Sequence, residues 1–251
     1  MGTIRNAVLL AIAILVGRTL RQNPMLIGQS VGASKLPSNE TFPVYTSHPV
    51  MDAVLEYHKG AIDVTDYDKY RNHCLRVLSF AGYYYQSYIP KEHRKGVAPP
   101  EDVLNVMAVA LAYHDIGLWT AKELDYLEPS VATLNQDWAN PDLVERLPAF
   151  SETDLETARI MILQHHKFTE WKPSAEQNPE IDQAAVNAVR RGDWADATLG
   201  LIKTGLPPSH LEQAYNLIPE AGFHAMLAGM TGRLSPDSMV GQLQVLKILK
   251  W

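Results

Sequence analysis

Residues 100–117 read PEDVLNVMAVALAYHDIG. From Val103 to Tyr113 only Asn105 and the Tyr113 hydroxyl are polar. Pro99-Pro100 precede the stretch, and Glu101 and Asp102 fall where negative charge favours a first helical turn. A helix apolar on nearly all sides belongs at the centre of a fold. This one stops at Gly117, with His114 and Asp115 at its C-terminal end. Packing explains that carboxylate poorly. Burying it costs several kcal/mol unless it is paired or metal-bound, and the C-terminal end of a helix disfavours negative charge. A cation is the simplest compensation.

Outward from this segment, helical spacing and capping signals recur, and no strand-like alternation lasts. Thr65 with Asp68 resembles a capping box. The helix after it places Tyr70, Cys74, Val77, Leu78, Ala81 and Tyr85 on one face. Ser151 with Asp154 opens another helix, closing at His165-His166. A further helix covers 181–202, and Ser235-Pro236 opens a last one. The expected fold class is all-α, with a helical domain over 48–251. Residues 22–47, with Pro24, Gly28, Gly32, Pro37 and Pro43, read as a linker.

The N-terminal segment 1–21 holds the apolar run AVLLAIAILV at 7–16, flanked by Arg5, Arg18 and Arg21. It is shorter than the ~20 residues of a spanning helix. A packed helix, a membrane contact through residues 4–21, and a signal or anchor are all compatible with it. A cytoplasmic location is expected unless it acts as anchor or signal.

Composition excludes several classes. Cys74 is the single cysteine, so no intramolecular disulfide and no Cys-rich zinc finger can form. With 22 basic and 28 acidic residues and no basic run, duplex nucleic acid is not an expected partner.

Of the nine histidines, His48, His58, His93 and His210 read as solvated, and His224 as a core or surface residue. The other four lie near chemistry. His73 is mid-helix on the apolar side, His114 precedes Asp115, and His165-His166 end a helix. Asp193 and Asp196, three apart, share a helix face. Imidazole and carboxylate ligands suit Zn, Fe or Mn better than Mg alone.

The order His73, His114-Asp115, Asp193, carried by the strings NHCLRV, LAYHDIG and RRGDWADAT, resembles the HD-domain superfamily over about residues 65–202. The His73-x-x-Arg76 form and the Leu127-Glu128 helix are most similar to its cyanamide-hydratase-like branch. The resemblance implies a helical bundle around one divalent transition metal (Zn, Fe or Mn) held by His73, His114, Asp115 and Asp193. Asp196 would stand behind a ligand and support it. Two-metal members add histidines at two places between the doublet and the last Asp. This chain has one such place, His165-His166, and none from 116 to 164.

Under that reading His165 or His166 contacts substrate or carries a proton; a favourable helix end is the plain alternative. Glu128 is a candidate proton shuttle. Arg76 binds a polar substrate group or pairs with an acid such as Glu128. Trp194 lines a pocket or packs in the core, and Tyr83–Tyr85 read as core. Cys74, about 100° around the helix from His73, does not share its metal.

The expected function is a metal-dependent hydrolase using metal-activated water on a small-molecule substrate, of phosphohydrolase or hydratase type. The alternatives are a hydro-lyase of the cyanamide-hydratase type, an iron-dependent oxygenase, and a non-catalytic metal-binding module.

Overall fold

A computed structural model describes residues 42–90, 92 and 98–234. Among these the regular structure is helical, with no strand. The apolar run at 7–16, most of the linker, His93 and the helix expected from Ser235-Pro236 lie outside the described residues. The longer helices are α1 (Pro49–Tyr57), α2 (Tyr67–Tyr88), α3 (Glu101–Tyr113), then the short α4 (Gly117–Thr120), α5 (Leu127–Asp137) and the short α6 (Pro141–Val144). They are followed by α7 (Glu152–Gln164), α8 (Gln183–Ala197), α9 (Pro208–Leu217) and α10 (Phe223–Leu234).

The centre is shared by two helices rather than one. α3 is buried from Val106 to Tyr113, as its composition demands. α2 is buried continuously from Leu75 to Gln86, so its apolar face widens to the whole circumference. Burial of Met107, Val109 and Leu111 contributes roughly 2 kcal/mol each, and stiffens the turn that follows. That stretch, Glu101–Thr120, is long and apolar enough to cross a membrane, yet 83% of its most apolar window is buried inside the protein.

Two glycines fix the packing. A Cβ on Gly192 of α8 would stand 2.8 Å from the Val77 carbonyl oxygen and 2.9 Å from the Ala81 nitrogen, so only glycine lets α8 lie this close to α2. A Cβ on Gly117 would strike the Tyr126 carbonyl oxygen, and its N–H donates to Ser130 Oγ at 2.9 Å. The His114-Asp115 turn is thereby pressed against the start of α5.

The Ser151/Asp154 capping box forms as expected, with both reciprocal bonds. The Thr65/Asp68 box does not. Thr65 bonds Asp63 at 2.8 Å instead, and Asp66 precedes the helix. α8 ends at Ala197 rather than near 202, because Leu199 and Gly200 adopt positive φ and close the turn with a Gly200 N–H to Ala195 carbonyl bond of 2.8 Å. The packed region begins before residue 48: Phe42 is buried, stacked 4.6 Å from the His210 ring.

Candidate metal centre

Three imidazoles converge from three helices. His73 comes from the middle of α2, His114 from the end of α3, and His165 from the end of α7. Each is at most 1% exposed. Each has its Nδ1 beside a group that can only accept: Asp196 Oδ2 at 2.7 Å for His73, the Leu111 carbonyl at 2.6 Å for His114, and the Ile162 carbonyl at 2.7 Å for His165. Nδ1 therefore carries the proton and donates in all three. Nε2 is left as a lone pair, and the three lone pairs face a common point.

The oxygens at that point are acceptors too. His73 Nε2 lies 3.1 Å from His114 Nε2 and 3.3 Å from Asp193 Oδ1. Asp115 reaches both sides: Oδ2 is 3.2 Å from His114 Nε2, and Oδ1 is 3.3 Å from His165 Nε2. Asp115 Oδ1 and His165 Nε2 are buried without a hydrogen-bond partner. Donor atoms bound at ~2.1 Å to one ion stand about 3.0 Å apart at right angles and about 3.4 Å apart at the tetrahedral angle, so these spacings match a cation's donor set. The residues present fit a divalent metal, and overlapping groups of His73, His114, Asp115, His165, His166 and Asp193 could hold it.

Without a cation, protons take its place. Burial pushes the His73 imidazole down, but hydrogen bonds to Asp193 and Asp196 more than offset it, and its pKa is raised. Burial opposes charge at His114 as well, and Asp115 reverses it strongly. Asp115 itself is pushed up by burial and brought well below the carboxylate range by His114.

Asp196 supports the centre from behind. Burial raises its pKa, but the Arg76 guanidinium holds its carboxyl well below the usual range. Arg76 donates from Nε to Oδ1 at 2.7 Å and from Nη2 to Oδ2 at 2.9 Å, a two-pronged pair fully buried at both ends. Arg76 Nη1 donates to the Pro219 carbonyl at 2.8 Å. Its fork is thus spent on Asp196 and the chain before α10. Arg76 thus pairs with an acid, as one of the two expectations had it, but the acid is Asp196 rather than Glu128, and the fork is not left for a substrate. A line of contacts runs Arg76, Asp196, His73. The same chain segment brings Phe223, whose ring stacks on His73 at 4.0 Å and 8°.

His166 differs from His165. Its Nε2 lies 2.6 Å from the Tyr126 hydroxyl, and its Nδ1 is buried without a partner. Burial, reinforced by neighbouring His165, lowers its pKa to about 3, so the ring is neutral.

Two further candidates are not brought to the centre. Glu128 is exposed in the first turn of α5, where Leu127 takes the buried side. Trp194 turns away from Asp193, donates to the Lys167 carbonyl at 3.2 Å and packs edge-on against Phe168. Cys74 points to the Leu111 carbonyl at 3.2 Å and not to the centre.

Two of the histidines read as solvated need correction. His48 and His58 are buried. His58 Nε2 meets Asp137 Oδ2 at 2.6 Å, and Tyr113 donates to the same oxygen at 2.9 Å. His224 bonds both Glu220, at 2.8 Å, and the Asp196 carbonyl, at 2.8 Å.

Sequence reasoning missed Tyr126, Phe223 and Tyr70. Tyr70 donates to the Ala112 carbonyl at 3.0 Å and accepts the Asp115 N–H at 3.2 Å, which fixes the doublet's turn. Of the three, only Tyr70 carried a signal, its place one turn before His73.

Comparison of the chain with protein-family models, curated proteins and solved structures gives no match.

Proposed function

We propose that the chain is a metal-dependent hydrolase of the HD-domain type, acting on a small molecule. One divalent transition metal, zinc, iron or manganese, is held by His73, His114, Asp115 and Asp193, with His165 as a fifth donor. One observation carries this reading: three imidazole lone pairs and two carboxylates face each other with every Nδ1 proton already committed. A single cation satisfies these acceptors together without rearrangement.

When bound, the cation supplies Lewis acidity, lowering the pKa of water towards ~7 and polarising the bond under attack. The protein does the rest. Asp196 and the carbonyls of Leu111 and Ile162 lock the imidazole tautomers, which keeps the ligand geometry fixed. Phe223 covers His73 and keeps bulk water off that face. Asp115 and Asp193 retain only 5% and 7% of their side-chain exposure, which favours a substrate of few atoms.

Within this reading, hydration of a neutral group such as a nitrile gains support over phosphate hydrolysis. A phosphoryl group needs cationic side chains, and the nearby guanidinium groups are committed elsewhere. Arg71 pairs with Asp52, Arg76 with Asp196, and Arg190 with the Lys167 and Phe168 carbonyls. Arg191 donates to the Thr204 carbonyl and lies over the Tyr84 ring.

The test is metal content of the purified chain beside His114→Ala and Asp115→Ala, followed by screening of nitriles, amides and phosphomonoesters. About one metal per chain, lost in both variants, is expected. Two irons per chain would favour an oxygenase. No metal under any loading condition would leave a non-catalytic module.

A further inference from the structure

The first turn of α10 carries a histidine whose two ring nitrogens both meet acceptors. His224 Nδ1 lies 2.8 Å from Glu220 Oε1, and Nε2 lies 2.8 Å from the Asp196 carbonyl oxygen. Glu220 also accepts the Gly222 and His224 backbone N–H groups. Burial raises its pKa, but these bonds bring it below the ordinary value, so the carboxylate is ionised at neutral pH. The Asp196 carbonyl belongs to the C-terminal end of α8, where it also takes the Leu199 N–H at 2.9 Å and the Tyr215 hydroxyl at 3.4 Å. Neither group can donate. A neutral imidazole has one N–H and satisfies one of them; only the imidazolium satisfies both. The surroundings suit that charge, with a carboxylate on one side and the negative end of a helix dipole on the other. The remaining charges nearby cancel in pairs: Arg76 of α2 with Asp196 of α8, and Lys69, whose stem passes 3.8 Å from a Cβ built on Gly222, with Asp66. On α9, burial holds the Tyr215 phenol protonated. Among the described residues this leaves Glu220 as the charge that the ring answers.

The segment fastened in this way lies over His73. The Pro219 carbonyl accepts from Arg76 Nη1 at 2.8 Å and Asn72 Nδ2 at 3.0 Å. Ala221 and Gly222 then turn the chain with φ of 55° and 92°, a left-handed conformation that strains Ala221. Phe223 follows at once, stacked on His73. Further along, a cavity of about 250 Å³ separates α10 from the start of α2, lined by Asp63, Lys69, Met226 and Arg233 among others, so the helix has room to move on that side.

We infer that His224 is a proton-operated clasp. As the imidazolium it pins residues 219–224 between Glu220 and the end of α8; losing its second proton gives up one of the two bonds, loosens the segment and uncovers His73 beneath Phe223. The stabilisation belongs to the charged form, so it is present at low pH and lost as pH rises through the range in which imidazoles titrate, about pH 5–8. The clasp stands on its own geometry; that it covers a metal ligand rests on the reading above.

The experiment uses the full chain. Nitrogen-15 NMR of the histidine rings counts the protons directly, with His224→Gln to identify the His224 signals. Two protons on that ring at pH 6 and one at pH 9 is the expected result. Hydrogen exchange followed by mass spectrometry, corrected for its intrinsic pH dependence, reads the segment. Protection of residues 223–234 should fall three- to tenfold from pH 6 to pH 9 in the wild type, about one hydrogen bond's worth. In His224→Gln it should be low at both pH values, while the α3 amides, the reference for folding, stay as in the wild type. Uncovering is read on the cobalt-loaded chain as the rate of cobalt loss to a chelator. His224→Gln should release cobalt faster than the wild type at pH 6 by the same factor, with the ratio approaching one at pH 9, and Phe223→Ala should release it faster at both. A single proton on His224 at pH 6, or equal protection of 223–234 in wild type and variant, would overturn the clasp. Equal cobalt release at pH 6 would overturn its covering role. A chain that takes up no cobalt would overturn the metal centre and the covering role with it, while the ring protons and the exchange still decide the clasp.

Discussion

His58, Asp137 and Tyr113 meet in one buried group, while one residue further along the chain His114 and Asp115 enter another. Composition barely separates the two: both are buried imidazoles and carboxylates at the end of α3. Their hydrogen bonds do separate them. In the first, the imidazole and the phenol both bond one carboxylate oxygen, and no buried polar atom of the three is left over. In the second, acceptors face acceptors, and Asp115 Oδ1 and His165 Nε2 have no partner. The lesson is that burial and residue type do not mark a metal site. An excess of lone pairs whose protons are already placed elsewhere does.

This contrast breaks if the two groups respond alike to substitution. The largest effect is expected from His114→Ala. Structural zinc affinities of ~10–16 kcal/mol spread over four ligands give roughly 3 kcal/mol each, so metal affinity should fall more than a hundredfold in chelator competition. Asp137→Ala should leave that affinity unchanged. Its own effect is on folding. Removing the shared acceptor strands His58 and Tyr113, and urea denaturation should show a loss of about 3 kcal/mol.

Asp196→Asn sharpens the comparison from the opposite direction, because Asp196 touches the ligand and not the metal. Removing its charge should lower stability in urea denaturation, because the buried Arg76 guanidinium loses its counter-charge, and should weaken metal binding by roughly 10–100-fold. Arg76→Lys keeps the charge and loses the fork, and should give a smaller loss in the same assay.

The smallest effect concerns the segment over His73. Glu220 accepts the Gly222 and His224 backbone N–H groups at 2.8 and 2.7 Å. Burial raises its pKa, but these bonds, with the His224 side chain, hold it below the ordinary value. A depressed carboxyl contributes stability that is present above the unfolded value of about 4.3 and lost as pH falls through the folded one. Glu220→Gln should therefore cost only ~0.5 kcal/mol at pH 7, given its solvent exposure, with the difference from wild type vanishing in the acid range. Thermal denaturation from pH 3 to 7 reads this directly.

The all-α fold was legible because it rests on local pattern, helical spacing and an apolar helix that ends in His-Asp. The convergence of His73, His114, Asp115 and Asp193 was expected only from the resemblance to the HD-domain superfamily, because spacing within one helix does not say which helices meet. Arg76 was rightly put on the His73 face, since three residues separate them. Its partner Asp196 is 120 residues away, and no spacing rule reaches that far. Glu128 failed for a similar reason: a short helix with one apolar residue in its first turn does not declare which way it faces. His58 looked solvated because its partner Asp137 comes from α5, 79 residues on. Tyr126 and Phe223 have no signature beyond being aromatic, and aromatic residues are read as core by default.

The most direct measurement is anomalous diffraction at the metal edge from crystals grown with zinc or manganese. A peak about 2.0–2.2 Å from Nε2 of His73, His114 and His165 and from the Asp115 and Asp193 carboxylates, with none at His58 and Asp137, is the predicted result. No peak at the first group, or equal peaks at both, would contradict the account.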